Sequence, residues 1–247
     1  MAKPIAGFSL GWIFDTVPDT FYRISRFLWR NGAGAVELCM SLERFRHMVL
    51  FWNKELKDSL ELFGYFSLHL PDFSWREEDL EVVKYASLFV PAAKAFVVHL
   101  DAIEDWDSLN IFNESTLGGK IAVEFPMDRD KKSGRTLEEL KKIYDDFPNF
   151  GFVLDVQHAY ENDASGNLAI NAAKLMGSRL RHLHVSGQKQ RQEGLSRHSF
   201  LYEADNREEI LRVLTHPILA DVPRISEGEF KTCDPVAVAS ELACLRS

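Results

Sequence analysis

The stretch Lys120-Ile121-Ala122-Val123-Glu124-Phe125 is a short apolar run with one carboxylate near its end. Phe150-Gly151-Phe152-Val153-Leu154-Asp155 begins 30 residues later, and Leu180-Arg181-His182-Leu183-His184-Val185-Ser186 begins 30 after that. Runs of this length, rich in β-branched and aromatic residues, read as strands. Five more share the pattern: Ile5–Leu10, Gly34–Leu38, Tyr65–Leu70, Ala95–Leu100 and Arg224–Glu229. The successive starts of all eight are separated by 29, 31, 30, 25, 30, 30 and 44 residues. Most are near-continuous in apolar residues rather than alternating, as parallel strands buried on both faces should be.

Helical periodicity fills the intervals. Trp52, Leu56, Leu60 and Phe63 form one apolar stripe. Leu137, Leu140 and Ile143 form another, with Glu138, Glu139, Lys141 and Lys142 turned outward. Ala169, Ala172, Ala173 and Met176 end at Gly177, a C-cap residue type. Pro235 to Leu245 reads as a last helix, with Asp234 as its N-cap. A strand and a helix in about 30 residues make one βα unit, and here it recurs eight times. The first strand runs into Leu10-Gly11-Trp12-Ile13, without the Gly-rich turn of an open doubly wound sheet. The pattern predicts an α/β fold, a single (β/α)8 TIM barrel forming one domain over residues 1–247.

Composition agrees with a globular chain: 247 residues, 46% hydrophobic and 27% charged, with 18 Phe and 5 Trp to fill a core. No run approaches the roughly 20 apolar residues of a membrane span, and Met-Ala-Lys-Pro-Ile-Ala lacks a signal-peptide core. Cys39, Cys233 and Cys244 are scattered with no CxxC pair, so reduced thiols and a cytoplasmic location are expected. A net charge of −8 disfavours indiscriminate polyanion binding, although a metal centre adds positive charge that the residue count omits.

In a barrel of this kind the chemistry sits at the C-terminal ends of the strands. The third run reaches His69 and the fourth His99; the fifth carries Glu124, and the sixth Asp155 with His158 just beyond. The seventh carries His182 and His184, and the eighth Glu227. A single histidine or carboxylate at a strand end is ordinarily a surface group, a satisfied core residue or a helix cap. Six strands delivering such groups to one mouth would crowd charges that repel and desolvate one another, and a cation relieves that. Histidine and carboxylates without cysteine suit Zn²⁺ first and Mn²⁺ second, with Fe²⁺ also compatible.

These residues resemble the xylose-isomerase-like barrels, which include endonuclease IV-type apurinic endonucleases and many sugar isomerases and epimerases. Asp155-Val156-Gln157-His158-Ala159 is similar to the family's D-x-x-H-A motif. His184-Val185-Ser186 with Lys189 resembles H-L-N-D-x-K, with Gly187 where its Asp would stand, and Arg197-His198 resembles D-R-H, with Ser196 at the Asp position. The resemblance implies a central metal on Glu124, Asp155, His184 and Glu227. Its endonuclease branch implies further ligands at His69, His99, His158 and His198, for one to three ions. Ser196 weakens the third of these sites.

Two chemistries follow from the resemblance. The first is an endonuclease IV-like phosphoesterase that hydrolyses a phosphate ester with a metal-activated water. Its catalytic residues would be Glu124, Glu227, His158 and Lys189, and its substrate a small phosphorylated molecule or abasic DNA. The alternative is a sugar or sugar-phosphate isomerase or epimerase, in which Glu124 and Glu227 move protons through an enediolate and His158 holds a hydroxyl. A third reading is a barrel that binds a ligand without catalysis. Phe73 and Trp75, after the third strand, would cap the barrel, line a pocket or stack on a nucleic acid.

Overall fold

All eight apolar runs form strands, and they pair in parallel. They are β1 (Ala6–Ser9), β2 (Ala35–Cys39), β3 (Tyr65–His69), β4 (Ala95–His99), β5 (Ile121–Phe125), β6 (Gly151–Asp155), β7 (Leu180–Val185) and β10 (Arg224–Ser226). Their order, β1-β10-β7-β6-β5-β4-β3-β2 and back to β1, closes a barrel. The structure, a computed structural model, describes residues 3–11, 18–39, 58–72, 87–89, 91–192, 194–229 and 233–247. Trp52, Leu56, Phe73 and Trp75 lie outside the described residues.

The strands read as continuous apolar runs because both faces are buried, but the two faces differ in kind. In β4, Phe96 and Val98 belong to the large outer core, whereas Ala95 and Val97 pack inside the barrel with Ala122 and Val153. The same period of two places Phe66 and Leu68 outside on β3. Inward positions thus combine alanines and branched residues, with Ala35, Tyr65 and Ile225 forming a second inner cluster, while the larger core, with most of the described Phe residues, lies between sheet and helices.

The helices α1 (Pro18–Arg30), α2 (Trp106–Ser115), α3 (Leu137–Asp146), α4 (Val156–Asn162), α5 (Asn167–Met176), α6 (Arg207–Leu214) and α7 (Pro235–Leu245) surround the sheet. Sequence-local signals start and stop several of them. Thr136 and Glu139 form a capping box at α3. Gly177, with φ +52°, ends α5, and the Asp234 side chain accepts from Val236 N at the start of α7. No helix among the described residues is long and apolar enough to cross a membrane.

Two features shape the ends of the barrel. At the C-terminal mouth, β8 (Gly187–Arg191) and β9 (Gly194–Ser199) form an antiparallel hairpin. This hairpin accounts for the long interval before the last barrel strand. At the opposite end Arg224 is buried and donates to the carbonyls of Leu214 and Leu245, both at 2.6 Å, and to that of Ser247 at 3.3 Å. It thereby satisfies the terminal carbonyls of α6 and α7, where a cation is favoured. Gly7 marks the tightest strand approach: a Cβ there would lie 1.8 Å from the Ala35 carbonyl oxygen.

Candidate metal centre

Parallel register brings the strand-end residues together in pairs. His99 lies beside Glu124, and Asp155 beside His184. Glu124 is almost wholly buried, and its Oε2 is met from three sides. His69 Nε2 stands 3.1 Å away, His184 Nδ1 3.3 Å and His99 Nε2 3.6 Å. His184 Nδ1 is also 3.4 Å from Glu227 Oε1. Three clusters able to hold a metal ion lie among the described residues, each with its donor atoms within 4.8 Å of one another: Glu37/His182/His184 deeper in the barrel and, at the strand ends, the pair His69/His99/Glu124 and Glu124/Asp155/His184. Glu124 belongs to both members of that pair.

The outward sides of these rings are also held. His69 Nδ1 lies 3.1 Å from the Leu70 carbonyl oxygen and His99 Nδ1 lies 2.8 Å from Asp72 Oδ1. His184 Nε2 lies 3.0 Å from Glu37 Oε1. An acceptor behind each ring fixes its orientation and places the proton on the outer nitrogen, which is how metal-binding histidines are supported. Asp155 divides its work: Oδ1 caps α4 by accepting from His158 N at 2.6 Å, while Oδ2 is buried without a hydrogen bond. His184 Nδ1 is likewise buried without one. Buried, unpaired nitrogen and oxygen donors converging on one point fit a divalent cation such as Zn²⁺.

The electrostatics describe the same crowding. Burial opposes charge on Glu124, yet His184 and His99 hold its carboxyl well below the usual range. Burial lowers His69, but the hydrogen bond and charge of Glu124 outweigh it and raise the ring to about 9. His184 is pulled down by burial and pushed up further by Glu227, Glu37 and Glu124, ending well above its ordinary value. Glu227 goes the other way. Burial lifts it to about 8 against the attraction of His184.

The remaining sequence candidates stand at the edge of this centre. His158 Nε2 lies 3.8 Å from Asp155 Oδ2 and its ring is edge-on to His198, with centroids 6.1 Å apart. Neither histidine joins a three-ligand cluster among the described residues. Ser196 Oγ accepts from Ser199 Oγ at 3.1 Å. Arg197 is ion-paired to Asp130 at 2.7 Å and to Glu161 at 3.5 Å. Lys189 is not brought to the centre; it pairs with Glu203 at 2.6 Å and helps anchor the hairpin. Sequence reasoning missed Glu37, Asp72 and Glu161. Glu37 carried a readable signal, a carboxylate inside the apolar run Gly34–Leu38.

The centre opens into a cavity of about 400 Å³ lined by His69, His99, Glu124, His158, His198 and Glu227. Asp72, Asp101, Asp128 and Lys131 form its outer wall, and Lys131 is paired with Asp101 at 2.6 Å. That volume suits a small molecule.

A family model described as "Xylose isomerase-like TIM barrel" matches residues 100–246. The chain belongs to this family. Among solved structures, endonuclease IV from Thermus thermophilus superposes with a TM-score of 0.70 at 19% identity, covering 98% of each chain. D-allulose 3-epimerase from Methylomonas sp., solved with D-allulose, gives 0.65 at 14% identity over 100% of this chain and 95% of that one. The IOLI protein with a bound zinc atom gives 0.64 at 15% identity over 98% and 96%. No curated protein sequence matches the chain. Identities this low establish a shared barrel and leave the reaction to the residues of the site.

Proposed function

We propose that this barrel is a metal-dependent enzyme that hydrolyses a small phosphate ester, with zinc as the first-choice ion and manganese the second. The observation that carries this reading is the sharing of Glu124 between two ligand clusters, since a carboxylate common to two cation sites is the core of a dinuclear centre. His69 and His99 would hold one ion, and Asp155, His184 and Glu227 the other. When bound, such ions lower the pKa of a water and neutralise charge on phosphoryl oxygens. Glu124 keeps the two sites adjacent, Asp155 offers Oδ2 while its other oxygen rigidifies α4, and His158 faces the cavity to position substrate oxygens. The acidic outer wall of Asp72, Asp101 and Asp128 favours a compact substrate over a DNA duplex.

That same acidic wall supports a second reading, a sugar isomerase or epimerase acting on an uncharged polyol. Glu124 and Glu227 lie 3.3 and 3.4 Å from His184 Nδ1, which sets two carboxylates beside one point where a small polyol could exchange protons with both. Zinc titration of chelator-stripped protein separates the two. The hydrolase reading expects two ions per chain and zinc-dependent release of nitrophenol from bis(p-nitrophenyl) phosphate. One ion per chain, with epimerisation of a free ketose and no phosphoesterase activity, would overturn it in favour of the isomerase.

A further inference from the structure

Beneath the metal centre lies a second polar layer that the proposed chemistry does not use. Glu37 is completely buried on β2, across the lumen from β7. Ser67 Oγ donates to its Oε2 at 2.8 Å, and His182 Nε2 is 3.2 Å from the same oxygen. His184 Nε2 is 3.0 Å from Oε1. On the far side of His182, Nδ1 stands 2.9 Å from the Tyr65 hydroxyl.

The placement of protons follows from donor and acceptor chemistry. A carboxylate only accepts, so each nitrogen facing Glu37 must carry a proton. The proton of neutral His182 then sits on Nε2, and its Nδ1 accepts from Tyr65. The opposite arrangement would let His182 Nε2 accept from His184 Nε2 at 3.2 Å, but it would set the same lone pair 3.2 Å from Glu37 Oε2 and send the Tyr65 proton to the Arg181 carbonyl, a much longer contact at 3.4 Å. His184 is fixed in the same way. Its Nε2 lies 3.0 Å from Glu37 Oε1 and 3.2 Å from His182 Nε2; with the Nε2 proton turned to Glu37, Nδ1, which faces Glu124 and Glu227 at 3.3 and 3.4 Å, is the nitrogen that gives up its proton when a cation binds.

We propose that Glu37, braced by Ser67 and by the Tyr65–His182 pair, is a positioning residue that locks His184 in the tautomer whose Nδ1 serves as the metal ligand. The role of Nδ1 rests on the metal-enzyme reading; the proton arrangement does not. Outer carboxylates of this type contribute roughly 10–100-fold to metal affinity.

The test is long-range ¹H–¹⁵N correlation of the histidine rings in ¹⁵N-labelled protein, without metal and with added Zn²⁺. His182 and His184 should each show a protonated, slowly exchanging Nε2 in both samples, and zinc should shift His184 Nδ1. An unprotonated or zinc-shifted Nε2 on His184 would overturn the proposal. Glu37→Gln offers one acceptor oxygen and a donating amide, so one histidine must turn a lone pair toward it. Its zinc affinity should fall roughly 10–100-fold with cooperative melting retained. Unchanged affinity in the folded variant overturns the lock. If Glu37→Gln does not fold, Tyr65→Phe decides: Glu37 should still hold the proton on Nε2 of His184, and loss of that proton counts against the proposal. A wild-type chain that takes up no zinc overturns the metal-enzyme reading, and the metal-free spectra still judge the proton arrangement.

Discussion

Glu124 presents a single carboxylate oxygen to three imidazole nitrogens at 3.1–3.6 Å, so its charge acts on both halves of the centre at once. Glu124→Gln is therefore expected to weaken zinc binding at both clusters and to lower turnover by about 100-fold or more, since metal and substrate orientation fail together. Asp155→Asn, whose amide still offers Oδ1 to α4, should weaken one ion only. Equilibrium dialysis with metal analysis distinguishes the two outcomes. A pH dependence follows from the same crowding. His69, raised to about 9, and His184, also raised, are protonated in the metal-free protein at neutral pH, whereas a ligating nitrogen must be free of its proton. Zinc uptake at pH 7 should release protons, and affinity should rise as pH climbs towards 9; calorimetry in buffers of different ionisation enthalpy measures both. The strand-end ligands were legible because a His or carboxylate closing an apolar run has no other ready explanation. Glu37 stood out as a carboxylate inside an apolar run, but its role was not legible, because its partners His182 and His184 sit on a strand about 145 residues away and only closure of the barrel brings them opposite it.

Among the elements, the barrel strands were readable because each is a self-contained apolar run, and capping residues marked the end of α5 and the start of α7. The β8–β9 hairpin was not. Its sequence is polar, and it is held by later residues: Asp205 Oδ2 accepts from Gln190 N at 2.7 Å and Asn206 Oδ1 from Gln188 N at 2.8 Å. On β9, Ser196 and His198 line one small cavity together with Arg197 and Glu229. A Ser196→Asp substitution should therefore add a carboxylate near His198 and His158 and create an additional, weaker zinc site. Equal stoichiometry and affinity in variant and wild type would show that Ser196 does not limit binding. The junction of α7 with β10 makes a separate prediction. Glu241 is fully buried, accepts from Ser226 Oγ at 2.6 Å, and is raised by burial from 4.5 to about 7. Between those values the unfolded chain has lost this proton and the folded chain has kept it. Stability should thus fall by up to about 3 kcal/mol as pH rises through that window, and change little from this source outside it. Urea denaturation of Glu241→Gln across the same range should show a shallower slope than wild type.

At the scale of the whole molecule, closure of the ring depends on close strand contact as well as on hydrophobic bulk. Gly7 admits no side chain, because a Cβ would meet the Ala35 backbone at 1.8 Å. Gly7→Ala should cost more than about 4 kcal/mol in urea denaturation, or prevent folding altogether; a loss below about 1 kcal/mol would mean that β1 and β2 separate more easily than their packing suggests. Arg224 guards the end of the barrel opposite the metal ligands, where it ties the last carbonyls of two helices to β10. Its position divides the tolerance of the chain to change. In a library of random variants, substitutions around Arg224 would lower how much protein a cell accumulates while each surviving molecule works at full rate. Substitutions at the mouth would leave accumulation intact and silence the molecules that are made. Scored separately for abundance and for activity per molecule, such a library would sort residues by their height along the barrel axis, so the polarity of the fold could be recovered from growth and assay data alone.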